Sequence, residues 1–78
     1  MPTKLEILVV FGEAVREARK SRKLSQEQLA DKAGLHRTYI GMIERGEKNL
    51  TLSNISKIAK ALDISMSEFF NNLPAWCQ

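Results

Sequence analysis

The sequence predicts an all-α fold of five short helices, on three observations. Apolar residues recur at three- and four-residue spacing in successive stretches, which gathers them on one side of an α-helix. Residues able to cap a helix (Thr3, Ser25, Thr51 and Ser65) stand where four of these stretches begin, and Gly34, Gly46 and Pro74 stand where others stop. The links between them are short, and no run alternates apolar and polar residues as a half-buried strand would. A length of 78 residues is enough for one domain, residues 1–78, and leaves it marginal alone, so that pairing would help it.

The first helix starts near Lys4, where Thr3 and Glu6 form a candidate capping box after Pro2, and runs to about Arg22. Leu8, Phe11, Val15 and Ala18 lie on one side of it, while Val9 and Val10 point outward, into a partner or to solvent. Arg16, Arg19, Lys20, Arg22 and Lys23 gather at its end, where cations suit the negative pole of the helix dipole. Ser25 caps the second helix, with Gln28 closing a capping box, and Gly34 takes the left-handed conformation that turns the chain sharply. A third helix follows and ends at Gly46. Leu29, Ala33, Leu35, Ile40 and Ile43 turn both helices toward one core, and Ala30 is small where two steeply crossing helices need close backbones.

Glu47-Lys48-Asn49 reads as a loop, and Thr51 caps a fourth helix beginning at Leu52. There Leu52, Ile55, Ile58, Ala59 and Leu62 share a face, Ser53, Lys57 and Lys60 point away, and Asp63 closes the helix. Ser65 and Glu68 form a capping box for a last helix carrying Met66, Phe69, Phe70 and Leu73 on one side, which Pro74 stops. With Trp76 beyond them, these side chains exceed what one small core needs, and surplus apolar surface marks an interface.

The second and third helices with their tight turn form a helix-turn-helix, which offers its second helix to the DNA major groove. At about 100° per residue, Ile40 and Ile43 define the inward direction of that helix. Thr38, Met42 and Arg45 then point away from the core, with Gly41 nearby, Arg37 at the N-terminal edge, and Tyr39 and Glu44 on the flanks. The outward face thus carries two arginines and no acid. The net charge is +3, and residues 1–48 hold ten Lys and Arg against seven acids while residues 49–78 hold two against two. The whole excess sits in the half with the helix-turn-helix, as a phosphate-facing side requires.

Other classes find little support. The single cysteine, Cys77, cannot form an internal disulfide, no Cys/His set has metal-ligand spacing, and His36 stands alone. No cofactor, small-molecule ligand or metal is implied, and no catalytic constellation of an enzyme appears. The apolar run from Ile7 to Phe11 is too short to span a bilayer or to serve as a signal core, which leaves a reducing cytoplasm as the expected setting.

Residues 11–70 resemble the Xre or phage-repressor type of helix-turn-helix domain, a five-helix fold. Gly12, Arg19, Leu24-Ser25-Gln26, Leu29-Ala30, Ala33-Gly34, Tyr39-Ile40, Ile43-Glu44-Arg45-Gly46, Ile58-Ala59 and Ala61-Leu62 carry the resemblance. The run from His36 to Leu52, with Arg37-Thr38-Tyr39-Ile40, Ile43-Glu44-Arg45 and Asn49-Leu50-Thr51, is similar to that of the controller proteins of restriction-modification systems. The resemblance implies that Arg19 pairs with Glu44 to set the recognition helix on the first helix. It implies that Gln26, at the start of the second helix, clamps the DNA backbone with Ser25 beside it, where helix N–H groups already favour phosphate. It implies a two-fold dimer through the last two helices, for which Ile64, Met66, Phe69 and Leu73 are the candidates. It also implies a pseudo-palindromic operator, activation at low occupancy and repression at high occupancy, two dimers on one operator, and a surface, Glu47 among the candidates, for RNA polymerase.

Within that frame Arg37 is the first choice for base reading, because a guanidinium can bond O6 and N7 of guanine together; a phosphate contact is the alternative. Thr38 can donate to a base or pack on a thymine methyl, Met42 can press on such a methyl, and Arg45 lies on the outward phase. Tyr39 reaches phosphate through its hydroxyl or packs on the core. Lys48, Asn49 and Arg45 lie where the next stretch of DNA backbone passes, and a backbone role for Arg22 or Lys23 competes with their place at the helix end. A phage-type repressor or antitoxin, and a protein-interaction module of the same fold, are the alternative readings.

Overall fold

The computed structural model describes residues 4–47 and 50–71, which form α1 (Lys4–Ser21), α2 (Gln26–Ala33), α3 (Arg37–Glu44), α4 (Leu52–Ala61) and α5 (Met66–Asn71), with no strand among the described residues. α3 packs between α1 and α2, α2 leans on α4, and α4 carries α5. The core draws Phe11 and Val15 from α1, Leu29 and Ala30 from α2, Ile40 and Ile43 from α3, Ile58, Ala59 and Leu62 from around α4, and Phe69 from α5. Each fully buried large apolar side chain contributes about 1.5–3 kcal/mol of transfer free energy, so the five helices close around this cluster rather than on intrinsic propensity.

The caps govern where the helices start. Ser25 Oγ accepts the Gln28 N–H at 3.0 Å and Gln28 Oε1 accepts the Ser25 N–H at 2.8 Å, a complete capping box. Thr51 Oγ1 accepts the Asn54 N–H, and Ser65 Oγ accepts the Glu68 N–H while donating to its carboxylate. Thr3 lies outside the described residues. The helix ends share one device. After α1, α2, α3 and the Leu62 turn of α4, one residue enters the left-handed region: Lys23 (φ 57°), Gly34 (φ 69°), Gly46 (φ 72°) and Asp63 (φ 59°). In each case the next residue's N–H returns to a carbonyl five positions back, as in Leu24 to Arg19 and Leu35 to Ala30. Gly34 and Gly46 take this conformation at no steric cost. Lys23 and Asp63 do so as residues with a Cβ.

Gly12 positions α1. A Cβ there would lie 2.3 Å from the Ile43 carbonyl oxygen and 2.9 Å from that of Glu44, so α1 crosses the end of α3 in backbone contact. Arg19, two turns further along the same side of α1, is thereby carried to Glu44.

Four expectations are corrected. Leu52 is 74% exposed and leaves the apolar face of α4, because it opens the helix at the edge of the stripe set by Ile55, Ile58, Ala59 and Leu62. Val10 is half-buried against the core rather than outward, whereas Val9 is exposed yet close to Gly46. Gly41, on the outward side of α3 by phase, is buried. Phe69 is 2% exposed and stacks on Phe11 with ring centroids 5.0 Å apart, Phe70 tilting against both, so the aromatic surplus of α5 is taken up by α1. Phe69 is a core residue of its own chain and has no surface to offer a partner. Ile64 and Met66 are half-buried, and Leu73 and Trp76 lie outside the described residues.

Candidate nucleic-acid interface

The turn from α2 to α3 is set by Gly34 and by a cap that sequence reasoning missed. His36 is extended (φ −83°, ψ 141°), and its Nδ1 accepts the Thr38 N–H at 3.2 Å, so its side chain opens α3 as an N-cap. The only sequence signal was its place just before the first helical residue after Gly34-Leu35. With Ile40 and Ile43 buried, α3 turns Arg37, Thr38 and Arg45 outward and Met42 to a half-buried flank.

A buried ionic network ties α3 to its neighbours. Arg19 Nε donates to Glu44 Oε2 at 2.7 Å and its Nη2 to Oε1 at 3.1 Å, a two-bond pair with side chains 11% and 3% exposed. Arg19 Nη1 donates to the Leu24 carbonyl at 2.8 Å, and Gln26 Nε2 donates to Glu44 Oε1 at 3.1 Å. One cluster thus ties α1, the α1–α2 link, the start of α2 and the end of α3. Among the described residues every buried side-chain nitrogen and oxygen has a partner, so the network carries no orphaned group.

Around this anchor the polar groups expected to meet a duplex remain able to donate. Ser25 Oγ accepts from a backbone N–H and keeps its own hydrogen, and Gln26 uses one of two amide hydrogens on Glu44. The Tyr39 hydroxyl accepts from Asn54 Nδ2 at 2.8 Å, a contact to α4 that the sequence did not disclose, and its hydrogen is likewise free of that bond. Tyr39 is half-buried and packs against the core. Lys48 and Asn49 lie outside the described residues.

Both outward arginines have an acidic neighbour. Arg37 Nη1 is 3.7 Å from Glu27 Oε2 with both side chains about two-thirds exposed, and Arg45 Nε donates to Glu47 Oε2 at 2.9 Å. Exposed pairs of this kind hold a side chain weakly, at about 0.2–1 kcal/mol, so neither arginine is withdrawn from a stronger ligand. Arg22 is engaged otherwise: its guanidinium donates to the Leu62 and Ala18 carbonyls and so closes two helix ends. That favours its helix-end role over a backbone role.

Known proteins place this arrangement. The helix-turn-helix family profile matches residues 15–69. Control protein C.SmaI of Serratia marcescens is 52% identical over 62 residues, covering 80% of this chain and 74% of that protein. The crystal structure of the restriction-modification controller protein C.AhdI from Aeromonas hydrophila superposes with a TM-score of 0.78 at 52% identity, covering 81% of this chain and 96% of that one. The controller protein C.Esp1396I, solved as a tetramer in complex with its natural 35 base-pair operator, superposes with a TM-score of 0.80 at 37% identity, covering 83% of this chain and 86% of that one. The chain belongs to the helix-turn-helix family of transcriptional regulators, in its branch of restriction-modification controller proteins.

Proposed function

We propose that this chain, acting over residues 1–78 as one unit, binds a pseudo-palindromic operator as a two-fold dimer and regulates transcription from it. The observation that carries the reading is the outward, cationic face of α3, held at a fixed tilt by the buried Arg19–Glu44 pair. A dimer sets two such helices about 34 Å apart, one turn of B-DNA, in successive major grooves. Arg37 reads guanine through two hydrogen bonds, Thr38 and Met42 meet neighbouring base edges or a thymine methyl, and Arg45 reaches the groove from the far end. Ser25, Gln26, Tyr39, Lys48 and Asn49 hold phosphates on either side and fix the register.

The dimer forms through α4 and α5, with Ile64, Met66 and Leu73 at the contact. Likeness to a controller solved as a tetramer on its operator supports two dimers on one operator here, the first activating through a contact with RNA polymerase and the second repressing. The protein works by equilibrium binding without chemistry, in the cytoplasm; among the described residues no helix is long and apolar enough to cross a membrane.

Selection of bound duplexes from a random pool tests the reading. Two half-sites centred about one helical turn apart are expected. A pool with no enriched sequence at low salt would contradict it and favour a protein-interaction module.

A further inference from the structure

Gly41 has no part in the operator reading above and Glu47 entered only as a candidate contact for RNA polymerase, and the structure brings both to one guanidinium. A Cβ at residue 41 would lie 3.2 Å from Arg45 Nη1 and 3.5 Å from Gln26 Oε1. Arg45 therefore folds back over the bare backbone of Gly41, one helical turn before it, toward the start of α2. Glu47, two residues on, takes the Nε hydrogen at 2.9 Å. One hydrogen bond and the room above Gly41 thus bias the orientation of a guanidinium whose side chain stays 57% exposed. Holding Nε leaves the terminal edge, Nη1 and Nη2, unclaimed by the carboxylate, and that is the edge with which an arginine spans O6 and N7 of guanine.

We infer that Glu47 is a positioning residue and Gly41 a specificity-determining one, which together present Arg45 as a pre-set reader of one base pair at the C-terminal end of α3. The inference rests on the proposed operator binding. An arginine on a flexible stem loses rotamer freedom when it docks, and a side chain already held in its bound orientation loses less. A mid-helix glycine is unfavourable by about 1 kcal/mol relative to alanine, and the space it leaves for Nη1 is what that cost secures. A carboxylate beside the groove also repels phosphate, so if Glu47 did nothing for Arg45, its removal would strengthen binding to every duplex alike.

The test compares wild type, Glu47→Gln, Gly41→Ala, Arg45→Ala and the Glu47→Gln/Arg45→Ala double variant on the selected operator and on random duplex. Thermal melts are run alongside, and the variants at the exposed residues Glu47 and Arg45 are expected to stay folded. Glu47→Gln is expected to lower the operator-over-random ratio by about three- to tenfold, the range for freeing one rotamer-rich side chain. It should relax base preference at a single position of the half-site and change nothing further once Arg45 is alanine. Gly41→Ala should relax the same position, because its methyl displaces Nη1. An unchanged ratio, a gain shared equally by operator and random DNA, or an equal effect of Glu47→Gln with and without Arg45 would overturn the inference. Failure of the underlying reading would look different: wild type itself would show no preference among duplexes.

Discussion

Replacing Arg19 with methionine tests how the recognition helix is held. The substitution keeps most of the side-chain volume and removes three donors, two on Glu44 and one on the Leu24 carbonyl. The Glu44 carboxylate, 3% exposed, is left with the Gln26 amide as its remaining side-chain donor. Stranding one partner of a buried pair costs about 3–5 kcal/mol. A folded chain of 78 residues has about 4–12 kcal/mol in all at the usual 0.05–0.15 per residue, so Arg19→Met should lose about a quarter of it or more. Glu44→Gln should cost less, because Arg19 keeps the Leu24 carbonyl and, at 11% exposure, a path to water. Urea unfolding followed by circular dichroism, at one fixed protein concentration, measures both. A loss under about 1 kcal/mol for Arg19→Met, the scale of an exposed pair, would refute the claim that this network sets the tilt of α3.

Three further outcomes follow from the packing. Phe69→Ala should destabilise the chain by about 3–5 kcal/mol, as for a core aromatic; a folded variant altered only in self-association by sedimentation would return Phe69 to the interface. Leu52→Ser should change stability by less than about 0.5 kcal/mol, and a larger loss in urea would mean the side chain is covered. Lys23→Gly should stabilise by about 0.5–1 kcal/mol, since the left-handed conformation costs a residue with a Cβ about 1–2 and glycine's looser unfolded chain returns part of that. This is a rise of about 2–8 °C in melting temperature for a domain of this size, and a fall would contradict the shared helix-end geometry.

Helix number, order and most boundaries were legible because their signals are local. Ser25 with Gln28, Thr51, Gly34 and Gly46 each act within one turn of themselves. The Arg19–Glu44 pair spans 25 positions and came from family resemblance, not from spacing. What stayed hidden depends on neighbours brought in by the tertiary fold. Gly41 is outward by helical phase but is covered by Gln26 from α2 and Arg45 from its own helix. Tyr39 finds Asn54 only because α4 packs beside it. Phe69 read as surplus because counting apolar residues on α5 says nothing of the room beside Phe11. Lys23 and Asp63 enter the left-handed region without a glycine to announce it. Leu52 failed for a simpler reason: a residue at the rim of a stripe, in a helix's first turn, has no neighbour over it merely because the stripe passes close by.

Base reading by the outward face of α3 should show first at Arg37. The most direct measurement is the affinity of Arg37→Ala, relative to wild type, for the selected operator and for random duplex at equal salt. A loss of about 1–3 kcal/mol on the operator with little change on random DNA is expected. Equal losses on both would assign Arg37 to phosphate, and no loss on either would remove this face of α3 from the DNA.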